Sequence, residues 1–303
     1  MVKNTRKIGR FLIVVTLAIV LFSALLFAKD APRYMDMTSA EVDNILFKSN
    51  TYPIDDKIVY ISDFFLNTPY KFDPLGEGAK SEGDKDPLFR LDKVDCLTML
   101  EQIWGMLWAE DLAQAKQITQ QMRYKNGVVA YQNRHHLSWS QWIVENENNG
   151  YVADITNKII PNAAVLESKY YGKKTCQGKW KAFCDKLGKN MPQGKFSHYV
   201  LPLDKAMQNL DKMPHGAFLF VVLKDRPWLP YRIKHTGLLI LDDKARPILR
   251  HASTHHKKVV DVALSRYLKM LQTKTKNWEV SGIILLKPQR PKTIKSLLYN
   301  PSM

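Results

Sequence analysis

The chain has 303 residues, of which 45% are apolar and 24% charged, so it can bury a core and is no disordered or low-complexity polymer. Lys and Arg number 45 against 29 Asp and Glu, a formal charge of +16; Lys3, Arg6, Lys7 and Arg10 supply four of these charges and leave +12 on residues 29–303. That surplus favours anionic surfaces, but no Arg-rich helix or aromatic-studded strand of the usual nucleic-acid readers is present, so nucleic acid is not an expected partner.

The four basic residues precede an apolar run from Phe11 to Ala28 that ends at Lys29-Asp30, the layout of an export signal. Residues 1–28 are therefore expected to be a signal peptide cut after Ala28, or an uncleaved N-terminal anchor, since the run is near the lower limit for spanning a bilayer. Residues 29–303 are expected as a single domain outside the cytoplasm, in the periplasm or cell envelope of a bacterium. Membrane contact would come only through the N-terminal segment, and a monomer is expected.

Past the leader, Thr38-Ser39-Ala40-Glu41 before Val42, Ile45 and Leu46 predicts a short helix, and Lys57 to Leu66 a second. A glycine-bearing loop, Pro74 to Ala79, leads to Asp95-Cys96. There Leu97, Leu100, Trp104 and Leu107 recur at helical spacing, and the predicted helix runs to about Trp108 with Asp111 to Met122 as its antiparallel neighbour. A sulfur in the first turn of a helix faces free N–H groups and the positive end of the dipole, which lowers its pKa. The alternative is a small core side chain. Gly127 to Tyr131 reads as an extended segment entering Gln132-Asn133-Arg134-His135-His136, which from the residues alone is a solvated turn, and Ser138 can cap the next helix through Trp142 and Ile143.

Residues 163–200 are Lys-rich and poor in periodicity, and read as a long insertion. Cys176 and Cys184 lie close together within it and form the natural disulfide pair, which leaves Cys96 free in an oxidising compartment. Leu203 to Leu210 reads as one more short helix. From Met213 the pattern changes to short apolar runs at Ala217–Leu223, Ile233–Ile240, Pro247–Ala252 and Ser281–Leu286, with Asp242 to Ala245 as a hairpin turn. Helices followed by strands make an α+β order. His235 and His251 fall in adjacent strands of that hairpin, and with Cys96 they offer a nucleophile, a base and a group to orient the base.

Val94-Asp95-Cys96-Leu97-Thr98, His235-Thr236-Gly237-Leu238 and Leu249-Arg250-His251-Ala252-Ser253 resemble the NlpC-type, papain-like cell-wall hydrolases. Thr68-Pro69-Tyr70, Leu75-Gly76-Glu77-Gly78 and Asn133-Arg134-His135-His136 with Trp142 bring the resemblance closer to their N-acetylmuramoyl-L-alanine amidase-like branch. It spans about Phe64 to Leu286, with Thr236 where the family has Val; the region around Cys176 and Cys184 matches no family motif. The resemblance implies a nucleophile-bearing helix packed on an antiparallel sheet, here with extra N-terminal helices. It implies Cys96, His235 and His251 as catalytic residues, no cofactor and no metal, and peptidoglycan or muropeptide as substrate. The bond cut would join N-acetylmuramic acid to L-alanine of the stem peptide. Tyr70, Asp95, Asn133, Arg134 and His136 are the substrate-binding candidates, with helix capping as the other role for Asp95.

Two other enzymes and one binding protein compete with this reading. A γ-D-glutamyl-diaminopimelate endopeptidase would use the same Cys and His residues. A zinc amidase would need ligand spacing such as His-Glu-x-x-His, which the eight histidines do not provide. A catalytically inactive wall-binding protein would lack the cysteine or the base, and both are present.

Overall fold

A computed structural model describes residues 32–273 and 279–291. The leader, residues 1–28, lies outside the described residues. The helices are α1 (Ser39–Ser49), α2 (Ile54–Asp63), α3 (Cys96–Trp108), α4 (Leu112–Arg123), α5 (Ile143–Asn148), α6 (Thr156–Ile159), α7 (Lys181–Leu187), α8 (Leu203–Gln208) and α9 (Leu264–Thr273). The strands are β1 (Val152–Asp154), β2 (Val165–Tyr171), β3 (Gly194–Pro202), β4 (Ala217–Leu223), β5 (Ile233–Leu241), β6 (Pro247–Ser253), β7 (Lys258–Ala263) and β8 (Val280–Pro288). They form one antiparallel sheet in the order β2-β3-β8-β4-β5-β6-β7, with β1 pairing with β8. The fold is α+β, with helices covering both faces of the sheet.

Period two along the strands explains why the central ones read as unbroken apolar runs. On β4, Phe218, Phe220 and Val222 join the cluster that holds α3, with Leu100, Ile103, Trp104 and Leu107, while Leu219 and Val221 join the cluster of α8 and α9, with Leu203, Leu264 and Leu268. Every β4 residue is buried. Full burial of each such aliphatic or aromatic side chain contributes roughly 1.5–3 kcal/mol, which fixes α3 on one face and α9 on the other.

Several local expectations need correction. The first helix is capped by Thr38, whose Oγ1 accepts the Glu41 N–H while the Thr38 N–H donates to Glu41 Oε2. Of residues 127–131 only the middle is extended, at Val128 and Ala130: Asn126 (φ 55°) and Gly127 (φ 68°) turn the chain left-handed, and the 3₁₀ turns Lys125–Gly127 and Tyr131–Asn133 take the ends. Ser138 caps nothing, because Ser138–Trp142 forms a π-helical turn and the Leu137 N–H donates to Gln141 Oε1. The region 163–200 is not irregular throughout. It opens and closes with the paired strands β2 and β3, and α7 lies in the connection between them, clipped by a Cys176–Cys184 disulfide.

Candidate active site

Asp95 starts α3 in a reciprocal cap. Its Oδ1 accepts from the Leu97 N–H (3.1 Å), the Thr98 N–H (2.8 Å) and the Thr98 hydroxyl (2.8 Å), and its own N–H donates to Thr98 Oγ1 (3.0 Å). Oδ2 accepts the Asp73 N–H at 3.1 Å. Of the two roles offered for Asp95, the structure shows the helix cap. Cys96, the first residue of α3, carries a free and partly exposed thiol. Thr236 Oγ1 donates to the Cys96 carbonyl at 2.7 Å, fastening the helix start to β5.

The residue before Thr236 is His235, and the sheet register explains its partner. β5 and β6 pair from Leu241↔Pro247 to Leu238↔Arg250, and one further step along that register sets Gly237 opposite His251. His235 shares a face with Gly237, so the two imidazoles are diagonal neighbours. A Cβ on Gly237 would lie 2.8 Å from the Arg250 carbonyl and 3.1 Å from His251 Cβ, so only glycine lets the strands come this close. His235 Nε2 and His251 Nδ1 meet at 2.7 Å with their rings perpendicular. Tyr267 of α9 packs on both rings, its centroid 5.3 Å from His251 and 6.0 Å from His235.

Burial dominates the electrostatics. It pushes the Cys96 thiol up to about 12, and the negative Asp95 adds to this; the Thr236 and Cys96 donors work the other way without overcoming it. The expected lowering by the helix dipole is therefore corrected, because burial of the sulfur, with the capping carboxylate adding to it, outweighs the dipole. Burial also pushes His235 down to about 3, helped by His251 and Lys234, and His251 down to about 4, helped by His256. Thiol and imidazoles are neutral at rest, and one proton sits between His235 Nε2 and His251 Nδ1.

Of the five proposed substrate contacts, Tyr70 is tied to the nucleophile stretch by a backbone bridge to Val94, two residues before Cys96. Its hydroxyl is raised to about 12 by burial and by the negative forms of Cys96 and Asp95. Arg134 is engaged within the fold: its buried guanidinium donates to the Leu75 carbonyl (2.6 Å) and to Asp84 (3.1 and 3.2 Å) and pairs with Glu77 at 3.3 Å and Asp73 at 3.5 Å, anchoring the glycine-bearing loop. Asn133 links Val128 O and Asn190, and His136 stacks on Tyr131 (4.3 Å) with Nε2 on the Tyr131 carbonyl. Behind α3, the buried Glu101 joins Arg123 (2.5 Å) and Trp142 Nε1 (3.0 Å). Tyr267, Thr236 and Glu101 were not singled out from the sequence. For Tyr267 the helical spacing of Leu264, Leu268 and Leu271 was the available signal.

The residue types that acyl transfer needs, a thiol at a helix start and two imidazoles in contact with each other, are thus carried on adjoining elements, with Thr236, the neighbour of His235, bonding the helix start to β5. Solved structures share the fold. A protein from Legionella pneumophila str. Philadelphia 1 matches with a TM-score of 0.72 at 24% identity, over 83% of this chain and 94% of its own. An N-acetylmuramoyl-L-alanine amidase from Bacteroides uniformis matches at 0.58 and 21% identity, over 82% and 100%. A Bacteroides fragilis protein described as a candidate xylanase matches at 0.57 and 24%, over 75% and 98%. No curated protein matches by sequence. The profile of the AmiA-like, N-acetylmuramoyl-L-alanine amidase-like family matches residues 60–274, which takes in Cys96, His235, His251 and Tyr267, and the chain belongs to that family.

Proposed function

We propose that the chain is an exported, cysteine-dependent N-acetylmuramoyl-L-alanine amidase of the papain-like, NlpC type. In this reading residues 1–28 address it to the periplasm and residues 29–303 form one catalytic domain. The observation that carries the reading is the 2.7 Å contact of His235 Nε2 with His251 Nδ1, next to Thr236, whose hydroxyl bonds the Cys96 carbonyl at 2.7 Å. With Nε2 engaged, Nδ1 of His235 is the nitrogen available to the thiol.

Because both groups rest neutral, proton transfer accompanies attack. His235 takes the thiol proton as the Cys96 sulfur bonds to the carbonyl carbon of the lactyl amide, and the electron pair moves onto oxygen. The Cys96 N–H at the helix start and the Tyr70 hydroxyl stand beside that oxyanion; loss of one such donor typically costs about a hundredfold in rate. His235 then gives its proton to the alanine nitrogen, the C–N bond breaks and a muramoyl thioester remains. Water, deprotonated by His235, attacks the thioester, and the sulfur leaves with that proton. The products are the muramic acid carboxylate and a stem peptide with a free amino group.

Mass spectrometry of defined muropeptides after incubation with residues 29–303 tests the reading, with Cys96→Ala beside it. Stem peptide beginning at L-alanine, formed only by the unmutated protein, is expected. Cleavage after D-glutamate would replace the amidase with an endopeptidase, and cleavage by Cys96→Ala would remove the nucleophile.

A further inference from the structure

The Lys-rich segment lies within the residues the family profile matches, and it packs against Tyr131 and His136. The Cys176–Cys184 disulfide ties the segment before α7 to α7 itself. From this clip Phe183 lies 5.9 Å from both His136 and Tyr231, and Trp180 lies 5.2 Å from Tyr231. Lys186 stands 3.4 Å over the Tyr131 ring, which itself stacks on His136. None of these rings is fully buried. The wall continues toward the Cys96 helix start, because Arg134 lies 5.3 Å over the Tyr131 ring and 3.5 Å from the Asp73 carboxylate, and the Asp73 N–H is bonded to the Asp95 cap.

We propose that this disulfide-clipped wall is the sugar subsite of the enzyme, with Phe183, Trp180 and Tyr231 stacking on an N-acetylated aminosugar ring while Lys186 meets the carboxylate that hydrolysis creates. The choice of sugar rests on the amidase reading. The chemistry fits: sugar rings present C–H faces that pack on aromatic faces, half-exposed rings supply apolar area with little entropy to lose, and a cation at the rim suits the charged product. The disulfide matters because α7 spans only Lys181–Leu187, too short to hold its own position without a covalent tie.

Calorimetric titration of N-acetylmuramic acid into the Cys96→Ala protein, full domain, tests the proposal. Saturable binding is expected, weakened about tenfold or more by Phe183→Leu, which keeps apolar bulk but removes the ring face, and by the Cys176→Ser/Cys184→Ser pair. Phe183→Trp should retain binding. Should the disulfide variant fail to fold, Phe183→Leu alone decides. Equal affinity in a folded Phe183→Leu protein, or no saturable binding by the parent, would overturn the subsite. Muropeptide cleavage without sugar binding would sink this inference and leave the amidase reading intact, and sugar binding without cleavage would do the reverse.

Discussion

With the Cys96 thiol pushed up to about 12 and His235 and His251 down to about 3 and 4, the reacting groups do not form an ion pair at rest. A base must be unprotonated to act, and a histidine whose pKa is depressed stays unprotonated further into acid. The kcat/KM of the enzyme on a muropeptide is therefore expected to hold level from pH 7 to 5 and to fall only below that. An acid limb centred near the ordinary histidine value of about 6.5 would contradict the buried, neutral pair. The placement of these residues was legible in the sequence: Cys96 begins a helix, and His235 and His251, in neighbouring apolar runs, meet across the hairpin. The partners of Arg134 were not, and for Asp95 capping stood only as one of two readings. A sequence shows that a charge is present, but the partners that consume it, the α3 amides for Asp95 and Leu75, Glu77 and Asp84 for Arg134, are fixed only by the folded chain.

The catalytic pairing depends at the next scale on how β5 and β6 approach one another. Gly237→Ala would set a methyl 2.6 Å from Leu249 Cδ1 and 2.8 Å from the Arg250 carbonyl, distances that force the strands apart. Overpacking of this kind costs about 1–3 kcal/mol. The variant is expected to unfold at correspondingly lower denaturant and to lose most of its activity, since His251 moves with β6; unchanged turnover would show that the orientation of His235 does not rely on His251. Strands β4, β5, β6 and β8 were readable because helices cover both of their faces, so nearly every position is apolar. β2 and β3 were not. Their outer face is open, with Leu166, Ser168, Tyr170, Ser197 and Tyr199 on it, and the buried side of the pair carries Lys169 and His198, so neither strand shows an apolar run. Lys169 is tolerated there because Asp225, more than fifty residues away, accepts from it at 2.9 Å.

For the molecule as a whole, one antiparallel sheet with α3 on one face and α9 on the other brings four separate stretches, around Tyr70, Cys96, His235–His251 and Tyr267, to one end of β5. Among the described residues no helix is long and apolar enough to cross a membrane. The +12 surplus that follows the leader suits a polyanionic wall, and seven exposed lysines of it belong to the insertion, at positions 173, 174, 179, 181, 186, 189 and 195. The central claim is that Cys96 carries the muramoyl group through a thioester, and the most direct test is rapid acid quench of the enzyme during turnover of a muropeptide, followed by peptide mapping. The account predicts a muramoyl adduct on the peptide containing Cys96, formed and lost within the turnover time and absent from Cys96→Ala. Turnover with no adduct, in a protein whose Cys96→Ala variant keeps its rate, would contradict it.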